Sequence, residues 1–396
     1  MAEKMVRSLL DTDVYKFTVS YGYMKNYPDA EGEFSFVDRN KTEFSIDDIE
    51  DLKSHLYRLG ELTLSNFEMD WCIKNIPFIP RYYWEWLRGF RFDVKKINIS
   101  SDVHGHLQIT VYDKLYKVTL YEVPILAIVS EWMSKKYKDM ANIANIEKVV
   151  LEKITMAALG NFKFSEFGTR RRFSYDVQDK VISVLANKGW NVCNGTSNVH
   201  FAMKYNMKVM GTHPHEWFMF HGAQFGYDKA NYISLDIWNK TYHGDLGIGL
   251  IDCYGTDLFL NNFTKEMAKL FDGVRQDSGD EYEVADKIIS RYKELGINPL
   301  TKTIIFSNAL DFVKAGKIAE YCSGKVGCAF GIGTNLTNDL GVPHANIVMK
   351  LTSCKMTPKE NIKPCVKLSD DFEKAIGNPK EIEFCKYKVN QILGNN

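Results

Sequence analysis

The chain has 396 residues, with 50 basic against 50 acidic side chains, 45% hydrophobic and 25% charged; that is long enough for two or three domains and lies in the ordinary range of folded, soluble proteins rather than disordered ones. A formal net charge of zero removes any overall pull toward nucleic acid or an anionic membrane, so anion binding has to come from local clusters. Apolar runs such as Val123 to Val129, interrupted by Pro124, fall well short of the roughly 20 residues that cross a bilayer.

The start, MAEKMVRSLLDTD, turns acidic after two leucines and lacks a signal-peptide core, and the eight cysteines are scattered without a C-x-x-C pair. A cytoplasmic protein with reduced thiols, without a structural zinc or a disulfide framework, is the expectation. Up to about residue 125 alternating segments mix with helical ones. Leu107, Ile109 and Val111 alternate with polar neighbours, as do Val118 and Leu120, which predicts half-buried antiparallel strands. An aromatic helix is expected around Tyr82 to Arg88, and a long helical pattern from about Ile125 to Ala158, broken near Asn142.

From residue 160 one unit recurs: a short apolar run, a polar or glycine-rich cluster, then an amphipathic helix. The clusters fall at Phe167, Ser197, His215, Asp252, Asp277, Asn308 and Gly333. The clearest unit is KTIIFSNALDFVKAGKIAEYC, in which Thr303 to Phe306 reads as a buried strand and Ser307–Asn308 as the turn before a helix. No self-similarity accompanies the recurrence, so the architecture repeats and the sequence does not. Consecutive βα units suggest a barrel whose post-strand clusters converge on one face; an open doubly wound sheet is the alternative.

Four clusters carry chemistry. Arg170, Arg171 and Arg172 crowd the start of a helix marked by Phe173, Val177, Val181, Val184 and Leu185. Cations are unfavourable there, so an anion held by the guanidinium forks and the first-turn N–H groups is one reading and three solvated arginines the other. In FGIGTNLTND, Gly331, Gly333 and Thr334 resemble a phosphate loop, since glycines let backbone N–H groups approach an oxyanion. Asp252, and Arg275 with Asp277 in VRQDSGDE, can hold Mg²⁺ through water, stabilise positive charge on a reacting carbon, or form surface ion pairs. The segment GTHPHEWFMFHGA offers His213, His215 and His221 as metal ligands of a barrel hydrolase, as a nucleophile, or as core histidines.

These blocks, in this order, resemble the nicotinate phosphoribosyltransferase family over nearly the whole chain: LLDTDVYK, EFGTRRRFS, GTSN, GTHPHEW, VRQDSGD, IFSNALD and FGIGTNLTND, with the closest likeness to its ATP-coupled bacterial and fungal branch. The resemblance implies an N-terminal α+β domain over 1–135, an irregular, incomplete α/β barrel of the type II phosphoribosyltransferase architecture over 136–350, and a segment 351–396 packing back on the N-terminal domain. It implies a homodimer with shared active sites. The implied reaction joins nicotinate to phosphoribosyl pyrophosphate, giving nicotinate mononucleotide and pyrophosphate in NAD salvage, with Mg²⁺ required and ATP hydrolysed as a co-substrate.

Residue roles follow from the same resemblance. Nicotinate lies between Phe167 and Tyr15, the tyrosine coming from the partner subunit, with Arg170 on its carboxylate or on a nearby phosphate. Arg275 and Asp277 line the ribose and base region, Asp252 meets ribose hydroxyls or Mg²⁺, and no residue is a tight metal ligand. Gly331, Gly333 and Thr334 take the 5′-phosphate, Arg39 reaches phosphate across the dimer interface, and Asn308 has a minor phosphate or ribose role. His215, immediately before Glu-Trp, is the histidine phosphorylated by ATP. Ser197 stands where related nicotinamide enzymes carry aspartate, and a serine there favours a carboxylate substrate. A noncatalytic nucleotide sensor is the remaining alternative from another class.

Overall fold

The computed structural model describes residues 4–394. In strand β1, Glu31–Asp38, the residues Gly32, Phe34 and Phe36 turn inward while their neighbours stay half-exposed, the pattern of a sheet covered on one face. β2, Ile97–Ser101, and β3, Leu107–Lys114, complete a meander with it. The alternation of Leu107, Ile109 and Val111 is realised, since all three are buried in β3. That of Val118 and Leu120 is not: Leu115–Val118 is a helical turn, continued by a 3₁₀ turn Thr119–Tyr121. Every residue from Val118 to Ser130 is buried, so periodicity had no exposed face to report.

The helix Glu122–Ser134 is buried over its first nine residues and packs on the turn Thr169–Arg171. Among the described residues the second sheet has six strands, all parallel: β4 Phe164–Glu166, β5 Cys193–Thr196, β6 Ile248–Leu250, β7 Gly273–Gln276, β8 Thr303–Phe306 and β9 Gly327–Ile332, in the order β5-β4-β9-β8-β7-β6. The sheet does not close, as expected of an incomplete barrel. Of the seven units read from the sequence, the one leading to His215 has no strand; it contributes a single parallel bridge, Thr196 to Val209.

β10, Ile347–Lys355, leaves this unit and pairs antiparallel with β1 along its whole length, and the two-residue β11, Lys363–Pro364, adds beyond it. The N-terminal sheet therefore reads β11-β10-β1-β3-β2. The return of the C-terminal segment begins at Ile347, and its final helix, Pro379–Leu393, lies instead on the helices Tyr227–Tyr242 and Thr256–Asn262 of the second unit, where Tyr227 Oη donates to Glu381 at 2.6 Å. No helix among the described residues is long and apolar enough to cross a membrane.

Candidate active site

The loops after the four central parallel strands open on one cavity of about 520 Å³. Phe167 comes from the loop after β4, Arg275 and Asp277 from β7 and its end, Ser307 to Asp311 from the loop after β8, and Gly331, Gly333 and Thr334 from β9 and its end. Ser197, after edge strand β5, and Asp252, after edge strand β6, do not line it; Asp252 stands behind the lining residue His215 and Ser197 behind Asp13. Tyr15 and Arg39 line the cavity from the same chain as the other residues.

The aromatic pair is placed by backbone pairing. Val14 N–H donates to Ser197 O at 2.8 Å, Val199 N–H to Thr12 O at 3.1 Å and Ser197 N–H to Glu166 O at 2.9 Å, so the LLDTDVYK, GTSN and EFGTR segments are laced to one another, and Phe167 N–H donates to Ile332 O of β9 at 2.8 Å. Glu166 secures the same turn from below, accepting from Gly168 N–H at 2.6 Å, Thr196 Oγ1 at 2.5 Å and Gln178 Nε2 at 3.1 Å. Burial pushes its carboxyl up to about 7. Glycine at 331 has a steric reason the sequence did not show: a Cβ there would lie 2.5 Å from the Phe167 ring, and one at Gly333 2.8 Å from Phe167 O.

The three arginines have three different fates. Arg172 is wholly buried, its Nη1 and Nη2 bonded to Asp11 Oδ1 and Oδ2 at 2.7 and 3.0 Å; it holds the fold together and binds no anion. In the first turn of helix Tyr175–Lys188, Ser174 Oγ takes Val177 N–H and Glu131 takes Tyr175 N–H, so these two donors are not open to an anion. Arg171 donates Nε to Ile347 O at 2.9 Å and Arg170 stands 3.9 Å from Asp13 and 3.8 Å from Glu122, and both line the cavity.

Ser197 is buried, and its hydroxyl donates to Asp13 Oδ1 at 2.7 Å. Asp13 occupies the N-cap of helix Val14–Asn26 without capping it; an aspartate cap is ordinarily worth about 1 kcal/mol, and here the carboxylate faces Ser197 and Arg170 instead. Ser197 thus reaches the cavity only through Asp13 and Arg170.

His215 opens the helix His215–Phe225 directly after Pro214. Its Nε2 is 3.1 Å from Asp252 Oδ1 and 3.9 Å from Asp277 Oδ2. Burial, with the nearby Lys367 cation, lowers its pKa to about 4, so the ring is neutral near pH 7. Burial works against ionising Asp252, but Lys367 and His215 outweigh it and hold the carboxyl below its ordinary range; Arg275 does the same for Asp277. Because Asp252 is a carboxylate, Nε2 donates and Nδ1 keeps the lone pair. Asp252 is completely buried, bonded also by Ser278 Oγ at 2.6 Å and 3.6 Å from Lys367 Nζ. His213, two residues earlier, turns into the core with its ring 4.3 Å from that of Trp238. The H-x-H pair does not converge, which removes the hydrolase reading built on it.

Arg275 is fixed by three partners: Ser307 Oγ at 2.8 Å, Thr212 Oγ1 at 2.9 Å and Asp277 Oδ1 at 3.0 Å. Asn308 lines the wall and accepts from Lys374 Nζ at 2.7 Å. Lys350, Lys367 and Lys374 all line the cavity, and burial brings Lys350 down to about 8. None of the three was singled out from the sequence, nor were Glu122 or Asp13. A signal existed: Lys350 in IVMKL, Lys367 in CVKLS and Glu122 in YEVPILAIV are lone charges within apolar runs. The donor atoms of His215, Asp252 and Asp277 lie within 4.8 Å of one another, but both oxygens of the buried Asp252 are taken, by His215 and Ser278, so that Asp277 is the carboxylate of this group that faces the cavity.

Comparison with known proteins gives a consistent result. The model of the nicotinate phosphoribosyltransferase (NAPRTase) family matches residues 162–391, and that of its N-terminal domain residues 10–130. A nicotinate phosphoribosyltransferase of Chromohalobacter salexigens is 40% identical over 383 residues, 96% of this chain and 98% of that protein. The crystal structure of a nicotinate phosphoribosyltransferase from Porphyromonas gingivalis superposes with a TM-score of 0.94 at 43% identity, covering 97% of this chain and 100% of the other. One from Vibrio cholerae does so with a TM-score of 0.90 at 33% identity, covering 97% and 94%.

Proposed function

The chain belongs to the nicotinate phosphoribosyltransferase family, and from that premise we propose that it joins nicotinate to phosphoribosyl pyrophosphate with the transfer driven by ATP through a phosphohistidine at His215. The observation that carries the ATP step is the state of His215: neutral, buried at the cavity wall, with Nε2 held by Asp252 at 3.1 Å. Such a ring is a competent nucleophile at Nδ1. Nδ1 takes the γ-phosphoryl group, the bond from phosphorus to the β,γ-bridging oxygen breaks, and ADP leaves; Asp252 steadies the imidazolium that forms. Arg275 and Lys367 offset the new negative charge beside Asp252 and Asp277. Mg²⁺, when bound, would neutralise charge on the phosphate groups.

In the second half, Tyr15 and Phe167 hold the pyridine ring and Arg170 its carboxylate. The ring nitrogen attacks the anomeric carbon while the bond to pyrophosphate breaks, and positive charge develops on the ribose. Asp277 acts on that charge, chiefly in the transition state. No general base is needed, because the ring nitrogen already carries its lone pair. Arg39, Arg171, Lys350, Lys374 and the Gly331–Thr334 turn supply cations and N–H groups for the phosphates, a set matched to a ligand as heavily charged as phosphoribosyl pyrophosphate. Hydrolysis of the phosphohistidine then returns the site to its starting state.

The test is a chromatographic assay for mononucleotide, with phosphoribosyl pyrophosphate, Mg²⁺ and either nicotinate or nicotinamide, each with and without ATP. Nicotinate mononucleotide formed faster with ATP is the expected result. Equal rates with and without ATP would remove the phosphohistidine step, and turnover of nicotinamide would overturn the assignment of the base.

A further inference from the structure

Lys16 follows Tyr15, which lines the base side of the cavity, and Glu216 follows His215. The two second residues form a buried ion pair: Lys16 Nζ, with no exposed surface, is 2.5 Å from Glu216 Oε2, 2.5 Å from Glu122 Oε2 and 3.2 Å from Thr119 Oγ1. Thr119 Oγ1 donates in turn to the other oxygen of Glu216. The chain of charge continues toward the base: Glu122 Oε1, buried and without a hydrogen-bond donor, stands 3.8 Å from both Arg170 Nη1 and Lys350 Nζ.

From this geometry we infer that Lys16 is a positioning residue that couples occupancy of the nicotinate site to the state of His215, an inference that rests on the phosphohistidine reading above. Lys16 is shared between two carboxylates, and its balance between them is the bistable element. A ligand carboxylate that draws Arg170 to itself leaves Glu122 less neutralised, so Glu122 takes a larger share of Lys16. Glu216 loses that share and shifts the first turn of the helix that begins with His215. Charge added to His215 acts back along the same route, as linkage between two sites requires. A contiguous path alone is not evidence of coupling; what couples the ends here is that one ammonium, bonded to both carboxylates at 2.5 Å, brings a single positive charge to two negative ones. A buried pair kept only for stability would gain nothing from joining the neighbours of the two reacting groups, and hydrophobic replacement of such pairs is often tolerated.

The experiment uses the full chain and measures nicotinate KM with and without ATP, together with ATP consumed per mononucleotide formed, in the wild type, Lys16→Met, Glu216→Gln and the milder Thr119→Val. The ATP-induced change in nicotinate KM should shrink about fivefold or more in the first two variants, within the usual range of coupling between sites, and in the same direction but less in Thr119→Val, with ATP consumption outrunning product. Folding is checked by near-UV circular dichroism, and Thr119→Val decides the matter if the charge variants do not fold. Folded variants that keep the wild-type response to ATP would overturn the inference. A wild type that consumes ATP in step with product while its nicotinate KM ignores ATP would overturn it as well and leave the phosphohistidine reading intact; a wild type that consumes no ATP would overturn that reading, and the inference with it.

Discussion

Replacing Ser197 with aspartate sets a second carboxyl where the serine hydroxyl now donates to Asp13 at 2.7 Å. Two ionised carboxylates about 3 Å apart at an effective dielectric constant of roughly 20 repel by about 5 kcal/mol, or about 4 pKa units. Since an ordinary aspartate titrates near 3.9, the second proton of the pair leaves only at about pH 8. Burial already raises Asp13, so this is a lower bound. Below that pH the pair carries one charge, as Asp13 does alone, and nicotinate KM in Ser197→Asp should stay near the wild-type value. Above it a second charge draws Arg170 inward and repels the substrate carboxylate. At about 5 Å that repulsion is about 3 kcal/mol, and solvent screening leaves a KM increase of roughly 10- to 100-fold. The assay is steady-state nicotinate KM from pH 6.5 to 9 for both proteins. Curves that run parallel would refute the argument, because Ser197 would then not act through Asp13 and Arg170.

Gly331→Ala brings a Cβ to 2.5 Å from the Phe167 ring; overpacking of this kind costs about 1–3 kcal/mol, and displaced Phe167 should raise nicotinate KM by more than its effect on thermal stability alone explains, read by comparing KM with the melting temperature. Glu166, raised by burial to about 7 against roughly 4.3 unfolded, stabilises the fold fully below pH ~4 and loses that contribution as pH rises through 7, a change of up to about 4 kcal/mol; urea unfolding from pH 5 to 8 should show it, and Glu166→Gln should flatten that slope. Asp11→Ala leaves Arg172 charged in the core with only the neutral acceptors Gln178 and Met5 O, and breaking a buried pair from one side costs about 3–5 kcal/mol, which chemical denaturation would measure directly.

What the sequence made legible was local. The apolar run Thr303 to Phe306 and its turn are β8 and its loop, and the break near Asn142 separates the helices Glu122–Ser134 and Ile146–Leu159. What it hid was pairing across distance. Arg170, Arg171 and Arg172 are indistinguishable as letters, and only Asp11, more than a hundred residues away, makes one of them a core residue. Ser197 reads as a wall of the base site until Asp13 is seen to take its hydroxyl. Glycine at 331 reads as an oxyanion turn, whereas the ring of Phe167 is what excludes a side chain there. His215 and His213 are equivalent in H-x-H; the resemblance separated them, and the fold gives the reason, one ring on Asp252 and the other against Trp238.

The central claim is a phosphoryl group on His215. Brief incubation of the purified chain with ATP labelled in the γ-phosphate and Mg²⁺, followed by quenching in base and peptide mass spectrometry, should find an acid-labile, base-stable phosphate on His215, absent from His215→Ala, whose mononucleotide formation should no longer respond to ATP. Label found elsewhere, or no label in a wild type whose turnover ATP still accelerates, would contradict the account.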